Sequence, residues 1–247
     1  MNCRPALNLV FTSLFLLPLG CHSATPPVAR EHLCPTTAAV IPLSPPKADE
    51  ISVEQLALML PRHPVVVGFD VDDTLIFSAP AFNALQPSYD ADVIRPKNYN
   101  SLTPEQKAKY HEFWNKLNEE YDDRSIPKKI GKRLLDLHIA RGDSIYIISR
   151  RQSTVPPASV DACTKRYERM FGVKFDRPVI QTQLQDKTPF ICRQHIEYYY
   201  GDSDTDVTAA VAAGAVPIRV KRAANSYAKD KPHNGQLGEI VLKDSEE

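Results

Sequence analysis

The apolar positions of this 247-residue chain fall into two kinds of run. Short continuous stretches lie at residues 65–70, 144–149, 178–180, 196–200 and 216–220, as in Val65-Val66-Val67-Gly68-Phe69-Asp70. An unbroken run of that length, without strict alternation, predicts a strand buried on both faces. Helical spacing appears between these runs. Ile130, Leu134 and Leu137 share one face of a segment that Ser125-Ile126-Pro127 opens and Gly142 closes. A second helix is predicted from about 204 to 213, with Gly214 just past its end, and a short one over 53–60, stopped by Pro61. Strands alternating with helices predict an α/β fold, a Rossmann-like parallel sheet flanked by helices.

Residues 80–123 break that rhythm. Thr103-Pro104-Glu105-Gln106 supplies an N-cap, a proline in the first turn and a polar capping partner, so a helix should follow. That helix would carry Tyr110, Phe113, Trp114 and Leu117 on one face. The stretch reads as a small helical cap inserted over the carboxyl end of the sheet. There are no internal repeats.

The N-terminus reads as an export signal over residues 1–24: Arg4, then an interrupted apolar run over 7–19, then small residues at Gly20, Ser23 and Ala24. The run is too short and too broken for a transmembrane helix. Leu16-Leu17-Pro18-Leu19-Gly20-Cys21 resembles a lipoprotein box, so the chain would touch a membrane only if Cys21 is lipidated. A Pro-rich arm occupies 25–52, and a single domain, with the insertion at about 80–123, spans 53–247. Lys plus Arg and Asp plus Glu both number 30, which gives no support to a nucleic-acid or anionic-membrane partner. The 43% of hydrophobic residues excludes a disordered chain. The five cysteines form no CxxC or Cys/His zinc pattern. A Cys163–Cys192 bridge and buried free thiols both remain open.

Chemistry concentrates at strand ends. Asp70-Val71-Asp72-Asp73-Thr74 follows the first apolar run, where open α/β sheets bind their ligands. Two carboxylates at that spacing divide labour well, one as nucleophile and one handling the leaving-group proton. A turn capped by aspartates is the plain structural alternative. Asp202-Ser203-Asp204-Thr205-Asp206 ends a later run and offers oxygen ligands to a hard cation such as Mg²⁺. It lacks the glutamate that an EF-hand requires at position twelve. Ser149, closing the run at 144–149, and Lys187, shortly before Asp202, are suited to phosphate oxygens.

In that order, Asp70 to Thr74, Ser149, Lys187 and Gly201 to Asp206 resemble the four motifs of the haloacid dehalogenase superfamily. The string from Phe69 to Pro80, Phe113-Trp114, Ser125-Ile126-Pro127-Lys128, Arg141 to Tyr146, and Arg222 to Tyr227 are similar to the bacterial class B acid phosphatases. The similarity runs from about residue 65 to the C-terminus. It implies a periplasmic, Mg²⁺-dependent homotetramer that hydrolyses small phosphomonoesters, nucleotides included, and transfers phosphate to alcohols. By the same resemblance, Asp70 is the nucleophile and Asp72 the general acid and base. Asp70, the backbone carbonyl of Asp72 and Asp202 hold the metal. Ser149 and Lys187 bind phosphate, Asp206 orients Lys187 or a metal-bound water, and Phe82, Trp114 and Tyr227 line an apolar slot for the leaving group. An acidic optimum follows if Asp72 must start protonated. One departure stands out: the family's Thr-Gly-Arg is here Ser149-Arg150-Arg151, and Arg150, counted among the substrate-binding residues, would narrow the pocket, add a charge to it or point away. The rival readings are a class C lipoprotein acid phosphatase or nucleotidase, and a non-catalytic exported phosphate-binding protein.

Overall fold

The structure is a computed structural model that describes residues 34–35, 50–152, 158–183, 185–228 and 230–247. The export segment, Cys21 and nearly all of the Pro-rich arm lie outside the described residues. No helix among the described residues is long and apolar enough to cross a membrane.

Six parallel strands form the sheet: β1 (Val66–Phe69), β4 (Ser144–Ser149), β5 (Ile180–Gln181), β6 (Tyr198–Gly201), β7 (Val216–Arg219) and β8 (Ile240–Val241). Their order is β5-β4-β1-β6-β7-β8, so β1 lies inside, paired with β4 on one side and β6 on the other. Helices cover both faces. Alternate strand residues serve different cores, which is why the runs read as continuously apolar. Val67, Phe69, Ile147 and Tyr200 pack with Leu56 of α1 (Val53–Met59), Leu134 of α5 (Lys129–Arg141) and Tyr167 of α6 (Ala158–Phe171). Ile148 and Tyr199 pack on the other side with Ile191 of α7 (Thr188–Arg193) and Ala209 and Ala210 of α8 (Asp204–Ala212).

Two details differ from the reading of the sequence. The helix expected to open at Ser125 begins at Lys129, because Ile126–Pro127 (β3) pairs antiparallel with Ile76–Phe77 (β2). That small ladder closes the neck of the intervening segment. The terminal strand β8 was not expected; two residues beside Gly238 and Glu239 carry too little pattern to show it.

Between β2 and β3 the chain forms α2 (Ala79–Leu85), α3 (Ala91–Ile94) and α4 (Pro104–Lys116) around a core of Phe82, Leu85, Ile94, Phe113 and Leu117. Thr103 and Gln106 close a reciprocal capping box at the start of α4, with N–H···O distances of 3.2 and 2.9 Å. The end of α4 loosens into one π-helical turn, Leu117–Tyr121, then a 3₁₀ turn, Asp122–Arg124. Leu117 is buried as expected of the apolar face, but from the π turn instead of the helix.

A disulfide joins Cys34 to Cys192, and Cys163 is a buried free thiol. The Cys163–Cys192 bridge does not form, because the two residues serve different cores. Cys163 packs with Val67 and Ile147, whereas α7, which carries Cys192, packs through Ile191 with Ile148 and Tyr199.

Candidate active site

The carboxyl ends of β1 and β6 bring the two aspartate clusters together. The Asp70 N–H donates to the Tyr200 carbonyl at 2.8 Å, extending the ladder by one residue and aligning Asp70 with the end of β6. The chain then folds back through a tight turn, with Asp73 N–H on the Ile76 carbonyl at 2.7 Å and Asp73 at φ 59°. Asp202 follows β6. Asp206 lies in the first turn of α8, where it exchanges capping hydrogen bonds with Ser203. Gly201 makes that approach possible: a Cβ there would lie 2.3 Å from the Cβ of Asp206.

Lys187, at the N-cap of α7, is 4% exposed. Its ammonium donates to Oδ1 of Asp206 at 2.6 Å and also to Oδ1 of Asp70. Carboxylate oxygens of Asp70, Asp202 and Asp206 all lie within 4.8 Å of one another, and all three residues are buried. Burial pushes the Asp70 carboxyl up to about 7; Lys187 opposes this, while Asp206 and Asp72 add to it. Burial also raises Asp202 well above the carboxylate range, with Asp70 and Asp206 reinforcing the shift. Asp206 is the exception. Burial opposes its ionisation, but Lys187 and the Ser203 bonds outweigh it and hold the carboxyl low. A buried, oxygen-only group with crowded negative charge fits a hard divalent cation. The Asp72 side chain does not belong to that group, and the Asp202 carboxylate is steadied by Arg222 at 2.6 Å.

Asp72 turns instead to Arg151, which grips it with two bonds of 2.9 and 2.7 Å. Burial opposes ionisation of Asp72, yet the Arg151 pair outweighs it and holds the carboxyl below the usual range. The Arg151 pair thus favours the carboxylate form of Asp72. A charged donor fork stabilises the anion more than partial burial penalises it.

A cavity of about 400 Å³ opens over these groups, lined by Asp70, Asp72 and Lys187 among the polar residues and by Tyr110, Trp114 and Tyr227 among the aromatic ones. Phe82 is fully buried and not part of the wall. It stacks behind Tyr227, with ring centroids 4.5 Å apart, so it supports the slot instead of lining it. Ser149 is also buried and absent from the wall: its hydroxyl accepts the Arg151 N–H at 3.2 Å. Arg150 is exposed on the cavity wall, close enough for its charge to oppose the rise that burial gives the Tyr110 phenol.

Several residues here escaped the site reading of the sequence. Arg222 holds Asp202, Asp122 holds Arg151, and Lys128 donates to the carbonyls of Asp73 and Lys221 at 2.7 and 2.9 Å. Burial lowers Lys128 to about 8, with Asp73 and Asp202 opposing. None sits in a dense motif; the signal available in the sequence is that Lys128 and Arg222 lie within the strings noted above for their family resemblance.

No protein-family model matches the chain. Solved structures resemble the fold. A putative haloacid dehalogenase-like hydrolase from Bacteroides fragilis aligns at TM-score 0.51 and 18% identity, covering 73% of this chain and 97% of its own. A hydrolase from Pseudomonas syringae aligns at TM-score 0.50 and 15% identity, covering 72% and 92%. The sheet and its helices thus have the haloacid-dehalogenase type of α/β fold. Curated relatives are closer in sequence. The class B acid phosphatase of Enterobacter sp. (strain 638) is 37% identical over 218 residues, 85% of each chain. That of Marinomonas sp. (strain MWYL1) is 40% identical over 190 residues, 75% of this chain and 74% of its own. The chain belongs to the class B acid phosphatase family. The class C and non-catalytic readings are not favoured by these relatives.

Proposed function

We propose that this protein is an exported acid phosphatase that hydrolyses small phosphomonoesters, nucleotides among them, through a phosphoryl group carried transiently on Asp70. The observation that carries the reading is the buried Asp70 side chain, held by Lys187 in the lining of a cavity that aromatic rings also line.

In the first step Asp70, in the carboxylate form that the Lys187 ammonium favours against burial, attacks phosphorus in line and the P–O bond to the leaving group breaks. Lys187 offsets the charge on the transferring oxygens. Asp72 passes a proton to the departing alkoxide. Arg151 favours the carboxylate of Asp72, so that proton is taken up at low pH, in keeping with an acidic optimum. In the second step the Asp72 carboxylate removes a proton from water, whose oxygen attacks the acyl phosphate, releases phosphate and restores Asp70. An alcohol in place of that water yields phosphate transfer. Mg²⁺, held by Asp70, Asp202 and the Asp72 carbonyl with Asp206 beside them, would supply further neutralisation of the phosphoryl oxygens.

Arg150, Trp114 and Tyr227 would meet the leaving group, and Ser149 would order the phosphate loop through Arg151. Export to the periplasm is supported by the Cys34–Cys192 disulfide, a bond at home in oxidising compartments. Homotetrameric assembly belongs to the same reading, and sedimentation of the mature protein tests it.

The test of activity is hydrolysis of a chromogenic aryl phosphate from acid to neutral pH, with Mg²⁺ or EDTA, beside Asp70→Asn. Metal-dependent release that is lost in the variant supports the reading. No release by folded protein under any of these conditions overturns it.

A further inference from the structure

Arg151 does not act alone on Asp72. Its guanidinium also meets Asp122, with Nη2 donating to Oδ1 at 3.0 Å and Nη1 lying 2.7 Å from Oδ2. Asp122 is fully buried and belongs to the last turn of the segment between β2 and β3, whereas Arg151 follows β4 of the sheet. Other donors hold the same carboxylate: Ser125 Oγ at 3.0 Å, the Tyr167 hydroxyl at 3.1 Å and Arg166 at 3.4 Å. Arg166 also donates to the carbonyls of Asn118 and Glu119, pinning the π turn that ends α4.

The result is a linear relay: Asp122, then Arg151, then Asp72. A guanidinium is a rigid planar fork, so fixing one edge on Asp122 fixes the direction in which the other edge presents donors to Asp72. A longer, single-anchored arginine would sample several rotamers, and Asp72 would follow it or lose it. Burying a carboxylate that needs this many donors carries a desolvation penalty that a purely apolar contact would avoid.

We infer that Asp122 is a positioning residue for the proton-transfer carboxylate: through Arg151 it sets the Asp72 side chain against the leaving-group oxygen and ties that placement to the seating of the inserted segment. The inference rests on the phosphatase reading above. In the step concerned, the Asp72 carboxyl gives its proton to the ester oxygen as the P–O bond breaks, leaving an alcohol and a carboxylate.

Leaving groups that need no proton are indifferent to Asp72, which gives a readout that a loss of general structure would not produce. Asp122→Asn is compared with wild type on p-nitrophenyl phosphate and on a simple alkyl phosphate, using kcat/KM, which reports the step that expels the leaving group. General acid catalysis is worth roughly 10²–10⁴-fold, so a misplaced acid should cost the alkyl ester about tenfold more than the aryl ester. In an Asp72→Asn background the Asp122 substitution should then add little, the non-additivity expected of residues acting as one unit. Equal losses on both esters, or losses that multiply in the double variant, overturn the inference. If Asp122→Asn does not fold, Tyr167→Phe, which removes one donor from the same carboxylate, is judged by the same contrast. Absence of activity in the wild type would instead refute the phosphatase reading itself.

Discussion

The Lys187 ammonium is shared between Asp70 and Asp206, carboxylates contributed by the end of β1 and the first turn of α8. Lys187 itself stands at the start of α7, so one buried cation ties three segments of chain together at the candidate nucleophile. Removing it would leave two buried carboxylates facing each other.

Lys187→Met should therefore act on both stability and rate. Breaking a buried ion pair by deleting one partner costs about 3–5 kcal/mol, read from the midpoint of chemical denaturation. Loss of an electrostatic stabiliser of the transferring oxygens should lower kcat by roughly 10²–10³-fold. A variant that stays within a few-fold of wild type would remove Lys187 from the phosphate site.

His138 provides an acid-sensitive point in the core. It is fully buried, with Nδ1 donating to Asp143 at 2.7 Å and Nε2 accepting from the Tyr200 hydroxyl at 2.7 Å. Burial lowers its pKa, outweighing the upward pull of Asp143. The unfolded chain then binds more protons than the folded one on the acid side. Stability is fully present above the ordinary histidine value of about 6.5 and is lost as pH falls through the lower folded value. His138→Gln should flatten the decline of melting temperature between neutral and acid pH, and an unchanged slope would show that another group sets it.

The Cys34–Cys192 bridge closes a loop with a sequence separation of 158. A loop of that length should contribute about 2–5 kcal/mol by restricting the unfolded chain. Cys192→Ser, or wild type under a strong reductant, should unfold at correspondingly lower denaturant, with the m-value reporting any change in the unfolded state. Coincident curves for oxidised and reduced protein would refute the contribution.

Trp114 and Tyr227 line the cavity, and Phe82 backs Tyr227. Aromatic pairs are worth about 0.5–1.5 kcal/mol beyond burial, so Trp114→Ala or Tyr227→Ala should raise KM for aryl and nucleoside phosphates by roughly 2–10-fold. Small alkyl phosphates should be little affected. Arg150→Gly should weaken substrates whose leaving group carries a second negative charge more than uncharged ones. A uniform change across all these esters would place the residues in scaffolding instead of recognition.

Much of the site is legible in the sequence because it is built from strand ends. A short apolar run followed at once by Asp70 or Asp202 tells which residues emerge at the carboxyl edge of the sheet, since the local pattern sets both strand and exit. The capping signals at Thr103 and Ser203 are equally local, resting on side chains that reach only three residues. The partners of those carboxylates are a different matter. Arg151 finds Asp72 across 79 residues and Asp122 across 29, and Lys187 finds Asp70 across 117.

By itself, then, the sequence determined the α/β alternation, the strand ends that carry the aspartates and the start of α4, because each follows from interactions within a few residues. Only the tertiary structure decided that Cys34 and not Cys163 joins Cys192, that Phe82 supports the slot from behind, and that Asp72 pairs with Arg151. Those outcomes depend on which faces of the sheet two helices occupy and on how a buried charge is compensated. Both are set by packing between distant segments, where spacing along the chain carries no information about distance in space.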